Sequence, residues 1–282
     1  MACGAMDSLE EAVWEGHVPL RFVMDPCDLA SSIEPPPVYV IASRMSYLPL
    51  VALEIVDHFR SYAVELVSDV WFEVQDHRYN NIPLKCNTPI GVLYDLYRHD
   101  VIDDVNIVPW SIKVHFQGFP SDKLLRCSSY VEIEKQYMHT IKQALFCLHG
   151  NSRVFTTLPL DRQAQLWDAI CNTKGPDYYD VIHTLKPTNT DIKIVPIRML
   201  QSNKPMIQRP FHCWNEDKLT TLGDLSSVLT SEYGINMEEF DVIIQGVSFV
   251  DLDIRQIELY SLWSKLCSCD LFLYICLHEK ES

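Results

Sequence analysis

Glycine is scarce in this chain, with 9 among 282 residues. None of them falls in a G-x-x-x-x-G-K-[ST] or G-x-G-x-x-G arrangement. Such loops hold phosphates because glycine lets backbone N–H groups come close to the anion. No nucleotide-binding signature is therefore present. Long apolar runs are also missing, and nothing approaches the ~18–20 residues that span a bilayer. The opening MACGAMDSLEEAVWEG is acidic with no apolar centre, so no secretory leader is predicted. Glycine stands at position 4 rather than 2, which predicts no myristoylation.

Positive charge is in short supply. Lys and Arg number 23 against 38 Asp and Glu, a net charge of −15. An acidic surface repels phosphate backbones, so no nucleic-acid partner is expected. It also disfavours a polybasic grip on anionic lipid, and it suits solubility and basic protein partners.

Metal-ligand spacing is lacking too. Cys267-Ser268-Cys269 is the one close pair, whereas structural zinc sites use two pairs spaced two to four residues apart. No metal and no cofactor are expected. The ten cysteines are scattered, several inside apolar stretches such as LFCLH and LYICL. Reduced, buried thiols in a cytoplasmic protein are the expectation. Ten cysteines and ten histidines guarantee chance neighbours such as Cys147 and His149. A nucleophile needs a base placed in space, so no catalytic residue is assigned. The carboxylate pairs Glu10-Glu11, Asp103-Asp104 and Glu238-Glu239 read as solvated faces.

Hydrophobic residues are plentiful, at 48%, enough for packed cores. Residues 7–17 can form a short helix with Leu9, Val13 and Trp14 on one face and Asp7 or Ser8 as cap. Leu20–Met24 and Val38–Ala42 read as strands around a proline-bearing loop. Leu48–Tyr62 repeats apolar residues at helical spacing. Val70–Val74 and Ile82–Lys85 are strands, Pro89 opens a small helix, and Trp110–Phe116 alternates as a half-buried strand. Strand, strand, helix, strand, strand, small helix, strand is the order of a ubiquitin-like β-grasp. The last third repeats that order. Ile192–Leu200 and Pro205–Trp214 form a hairpin, and a helix follows Thr220. Val242–Gln245 is a strand, Ile257–Leu266 a small helix and Leu271–Leu277 a last apolar strand.

The stretch between is helical. Val131–His149 carries Ile133, Tyr137, Ile141, Ala144, Leu145 and Leu148 within about a third of the helix circumference. Leu160–Thr173 is a second helix, which the Lys174-Gly175-Pro176 run ends. Lys142 points roughly 115–120° from the apolar stripe, so it is predicted to be exposed, with Met138 and Phe146 on its face. Most such lysines are simply solvated. The sharper reading is a reachable amine beside an apolar docking patch, an acceptor whose activation the acylating enzyme supplies.

Several segments carry a resemblance. They are VWEGHVPLRF at 13–22, RMSYLPL at 44–50, VWFEV at 70–74, IPLKCNTPIGVLYDLY at 82–97 and PWSIKVHFQGFP at 109–120. IEKQYMHTIKQA at 133–144, IVPIRML at 194–200, QRPFHCW at 208–214, LTTLGDL at 219–225 and VIIQGV at 242–247 follow in order. Together they resemble the autophagy protein 5 family. The resemblance implies an α+β chain in which two ubiquitin-like β-grasp domains flank a helix-rich middle region. Its boundaries would be an N-terminal helix at 1–17, a first ubiquitin-like domain at 18–120, a helix-rich region at 121–186 and a second ubiquitin-like domain at 187–282. It also implies a non-catalytic subunit. Lys142 falls at the lysine that receives the C-terminal glycine of the ubiquitin-like autophagy protein 12, delivered by E1-like and E2-like enzymes. The conjugate would bind the coiled-coil autophagy protein 16 in a groove involving the N-terminal helix and both folds. As an E3, it would promote transfer of an Atg8-type modifier to phosphatidylethanolamine at the preautophagosomal membrane. Trp14, Arg44, Met138 and Phe146 are the candidate partner-binding residues. The alternative is a β-grasp interaction module that binds its partners without a covalent bond. A third reading, a cysteine-dependent transferase or protease, would show itself as a reductant-sensitive thioester.

Overall fold

The computed structural model describes residues 8–64, 69–75, 80–98, 109–127, 129–187, 192–215, 218–249 and 256–280. The chain divides into two compact units, one of residues 16–137 and one of residues 1–15 with 138–282. In chain order it opens with helix α1 (Ser8–Trp14). Asp7, one of the two predicted caps, lies outside the described residues, as do Asp103 and Asp104.

The unit of residues 16–137 is built on one sheet. Strand β1 (His17–Met24) alternates strictly, with Val18, Leu20, Phe22 and Met24 inward. It pairs antiparallel with β2 (Val38–Ser43). Helix α2 (Leu48–Arg60) follows, its Leu48, Ala52, Ile55 and Phe59 buried in the core against the sheet. Strands β3 (Trp71–Gln75) and β4 (Asn81–Pro83) come next, then helix α3 (Ile90–Arg98) and strand β5 (Trp110–His115). The sheet order is β2-β1-β5-β3-β4, with β1 and β5 parallel at its centre. First and last strands side by side, with a helix crossing over one face, make a ubiquitin-like β-grasp. The other face of β1 stays half-exposed.

A charged cluster closes the end of this sheet. The Lys113 ammonium lies 3.3 Å from Asp25 and 3.5 Å from Glu73. The His115 ring stacks on Trp71 at 3.9 Å. Burial pushes the Asp25 carboxyl up, but the Cys27 N–H, His115 and Lys113 outweigh it and hold it below its ordinary 3.8. A carboxyl depressed in the folded state adds stability above its unfolded value, and that stability is lost as pH falls through the folded one. Asp25→Asn is therefore expected to cost about 1 kcal/mol at neutral pH. The gap from the parent chain should narrow below roughly pH 4, where the unfolded carboxyl takes up its proton. Denaturant unfolding at pH 7 and pH 3 checks this; a constant gap would refute it.

The second unit also carries a β-grasp. Helix α4 (Tyr130–His149) contributes its residues from Met138 onward, the division falling between Tyr137 and Met138. Then come α5 (Arg153–Thr156), α6 (Leu160–Cys171) and α7 (Gly175–Leu185). Helix α7 is a correction. Gly175-Pro176 was expected to end a helix, and it also opens the next one. Proline fits the first helical turn, where no N–H bond is required. An ion pair between Arg162 and Asp180 ties α6 to α7.

Beyond these helices lie β6 (Ile194–Gln201), β7 (Ile207–His212), β8 (Trp214–Asn215) and β9 (Lys218–Leu219). Helix α8 (Leu222–Tyr233) is closed by a capping box between Thr221 and Asp224, so the cap is Thr221 and its partner Asp224. Strands β10 (Phe240–Ile244) and β11 (Val247–Ser248) are joined through Gln245 and Gly246, both at positive φ, as a two-residue hairpin turn needs. Helix α9 (Leu259–Leu266) and β12 (Leu273–Glu279) complete the chain. The sheet order is β11-β10-β12-β6-β7, with β12 and β6 parallel. All of β12 except Glu279 is buried. A strand covered on both faces reads as a continuous apolar run, which is how LYICL looks in the sequence.

Pro196 of β6 lies opposite Pro210 of β7. Neither carries an N–H, so they cannot exchange ladder hydrogen bonds. They must form a non-bonded pair, which turns the nitrogen of Pro210 to the outer side of β7.

Candidate functional site

Helix α4 buries the predicted stripe in full: Ile133, Tyr137, Ile141, Ala144, Leu145 and Leu148 all lie in the core. Met138, Lys142 and Phe146 sit at successive i, i+4 positions away from that stripe. Phe146 is 59% exposed, while Met138 and Lys142 are half-buried. The expectation of a freely exposed Lys142 is thus corrected. Its Nζ lies 5.5 Å from the centroid of the Phe155 ring, and Phe155 is fully buried at the centre of α5. A cation over a ring face gains about 0.5–1 kcal/mol in a partly solvated setting. The contact favours one direction of the lysine side chain over the others. Helix α5 has only four residues, too few for a periodic signal, so Phe155 escapes sequence reasoning.

One residue after Lys142, Gln143 accepts a hydrogen bond from Arg198 of β6 at 3.1 Å. Arg198 also donates to the Tyr274 hydroxyl at 2.9 Å, and its guanidinium lies 3.7 Å over the Phe272 ring. Asp270, fully buried, accepts from Tyr274 at 2.7 Å. Burial pushes the Asp270 carboxyl up, against the pull of Arg198.

Trp14 and Arg44 are both buried. Trp14 is buried, stacked on Tyr178 at 4.7 Å and edge-on to Tyr179 at 5.8 Å. Its indole donates to the Thr173 carbonyl at 3.4 Å. A Cβ on Gly175 would come within 2.8 Å of that ring, so glycine is what lets α1 lie this close to α7. The expected apolar face of α1 is also corrected. Leu9 is exposed at 43%, and Glu10 is buried in its place. The Glu10 carboxylate meets His183 at 3.1 Å and Lys186 at 3.8 Å. A buried carboxylate paired with His183 of α7 and with Lys186 just beyond that helix is invisible to an apolar count. Arg44 is buried in the other unit, paired with Asp95 at 2.5 Å and donating to the Gly91 carbonyl at 3.2 Å. As the chain stands, neither Trp14 nor Arg44 presents its side chain at the surface. Each holds its own neighbourhood together.

Six of the described thiols are shifted away from activation. Burial pushes Cys86 up to about 12 and Cys213 up to about 11. Cys127, Cys147 and Cys267 are raised by the same cause, and Cys27 by its bond to Asp25. A nucleophilic cysteine needs a shift the other way. Among the described residues no three His, Cys, Asp or Glu side chains are grouped to hold a metal ion, and no helix is long and apolar enough to cross a membrane.

Comparison with known proteins matches these segments one by one. Residues 13–116 fit the family model described as autophagy protein ATG5, UblA domain. Residues 131–188 fit its alpha-helical bundle region and 194–277 its UblB domain. Autophagy protein 5 of Drosophila melanogaster is 32% identical over 192 residues, covering 66% of this chain and 67% of that protein. The chain belongs to the autophagy protein 5 family. Autophagy protein 5 of Dictyostelium discoideum is 27% identical over 279 residues, covering 80% of this chain and 69% of that one. Autophagy protein 5 of Oryza sativa subsp. indica is 34% identical over 174 residues, which is 62% of this chain but only 43% of the rice protein. The chain thus spans less than half the length of this family member. The crystal structure of Kluyveromyces marxianus Atg5 superposes with a TM-score of 0.77 at 22% identity, covering 97% of this chain and 100% of that one. At that identity the likeness speaks for the fold: two ubiquitin-like β-grasps flanking a helical region.

Proposed function

We propose that this chain serves autophagy as a non-catalytic scaffold, joined through Lys142 to the ubiquitin-like autophagy protein 12. The observation that supports it is the placement of Lys142. It stands mid-helix, off the buried stripe, with its amine steered by Phe155. Once its proton is lost, Nζ attacks the thioester carbonyl of the modifier's C-terminal glycine on an E2-like enzyme. The C–N bond forms, the C–S bond breaks, and the thiolate leaves. No base within this chain is assigned, because the acylating enzyme can supply the activation.

In the same reading the conjugate binds the coiled-coil autophagy protein 16 and acts as an E3 for Atg8-type lipidation. It is cytoplasmic and reaches preautophagosomal membranes peripherally, through the complex. The physical gain is effective concentration: a charged E2-like enzyme is held near its lipid acceptor. The segments 1–17, 18–120, 121–186 and 187–282 are the proposed domains.

The test is reconstitution with the modifier and its E1-like and E2-like enzymes. A higher-mass band that survives boiling and reductant, with the branch mapped to Lys142 by peptide mass, is the expected result. Absence of the band leaves a module that binds without a covalent bond.

Met138 and Phe146 are expected to help seat the modifier. The double change Met138→Ser with Phe146→Ser should slow conjugation several-fold, since together they remove apolar contact area worth about 1–3 kcal/mol. Conjugation and co-purification at parent levels would make them ordinary packing residues.

A further inference from the structure

We infer that Arg198, in the second ubiquitin-like sheet, is a positioning residue for Lys142. It acts through Gln143. The inference rests on Lys142 being the acceptor, and it adds a role for a fold that does not itself carry the lysine.

The geometry starts from the helix. Successive residues are turned by about 100°, so Ile141 and Gln143 stand about 100° to either side of Lys142. Ile141 is fully buried, but an apolar contact is non-directional and lets a helix rock about its axis. Gln143 supplies a directional restraint on the other side. Its Oε1 accepts from Arg198 Nη2 at 3.1 Å, and its Nε2 faces His139 Nε2 at 3.0 Å, one turn back on the same helix. Two anchors on opposite sides fix the direction of the residue between them.

Arg198 is itself held by several partners. Nη1 donates to the Tyr274 hydroxyl at 2.9 Å and Nε to Gln208 at 3.0 Å. The guanidinium lies over Phe272 at 3.7 Å, with Asp270 3.9 Å away. Tyr274 in turn donates to Asp270 at 2.7 Å. A planar fork held on several sides transmits position well, because little freedom remains in it. The second sheet therefore acts as the bed against which the acceptor turn of α4 is indexed. Positioning of this kind bears on the rate of attack, since reacting atoms must meet at about 3–3.5 Å with aligned orbitals.

Removing Arg198 would take away the cation that offsets the burial of Asp270 and would endanger the fold, so Gln143 is the residue to change. In single-turnover transfer from the charged E2-like enzyme, Gln143→Leu should lower the maximal rate about tenfold. The KM for the charged enzyme should not move. Amides of residues 139–146 should exchange faster with solvent. Gln143→Glu should keep the parent rate, because its carboxylate accepts from the same guanidinium. Parent-like transfer and exchange in Gln143→Leu would overturn the inference. So would a rate loss with unchanged exchange, which would mean that Gln143 meets the carrier enzyme directly. If the unaltered chain forms no adduct, the acceptor reading fails, and amide exchange alone decides whether the strut holds α4.

Discussion

Lys142→Arg is expected to abolish the reductant-resistant adduct while leaving the fold untouched. Arginine keeps the positive charge and can still lie over the Phe155 ring that faces Lys142 at 5.5 Å. Its guanidinium stays protonated, so it has no free amine to attack a thioester. Chemistry is removed and packing is kept, which makes this substitution more informative than alanine. Stability should change by less than about 0.5 kcal/mol, as for most changes away from buried features. The readouts are a reducing denaturing gel and the thermal midpoint. A full-strength adduct in Lys142→Arg would move the acceptor elsewhere, with Lys135 on the same helix the first place to look. Loss of the adduct with a lowered midpoint would point to misfolding rather than to lost chemistry.

Trp14→Ala is expected to have the largest effect on stability, about 3–5 kcal/mol within its unit. The indole fills the space between α1 and α7, stacked on Tyr178, with its N–H on the Thr173 carbonyl. Truncation leaves a cavity that α7 cannot close, because the site is framed by helix backbone at Gly175. It also leaves Glu10 buried on a helix that has lost its main apolar anchor. Local detachment of α1 would appear as fast amide exchange over residues 8–14, and denaturant unfolding would give the total. A loss under about 1 kcal/mol would show that Trp14 is not the anchor, and would restore it as a candidate for direct contact with a partner.

Both predictions lean on features that differ in how far the sequence discloses them. The α4 stripe is plain in the sequence because a 3.6-residue period repeats over about four turns, and all six of its residues are buried. β5 and β12 are equally plain, one by strict alternation and one by its unbroken apolar run. Helix α7 is hidden because Gly-Pro has two meanings, the end of one helix and the start of another. The lock on α1 is hidden because its partners lie 159 to 176 positions away, and no local pattern encodes a contact at that separation. Glu10 is masked further, since a buried carboxylate counts as polar in any amphipathic reading. At the candidate site, direction was legible and environment was not. Periodicity turned Lys142 away from the core, but the Phe155 ring and the Arg198 fork come from distant segments. Singling out Lys142 among the chain's lysines needed the family resemblance, because an acceptor amine has no composition of its own.

The facing prolines have a consequence for crowded solutions. β7 is the outermost strand of its sheet among the described residues, and an open strand edge invites a neighbouring molecule to extend the ladder. With the nitrogen of Pro210 turned outward, an arriving strand would find a missing donor midway along a six-residue edge. One of its carbonyls would be left dry and unmatched, a penalty of about 1–3 kcal/mol. The proline whose nitrogen points away from the ladder inside the molecule thus discourages fibre-like stacking between molecules and helps the chain stay dispersed.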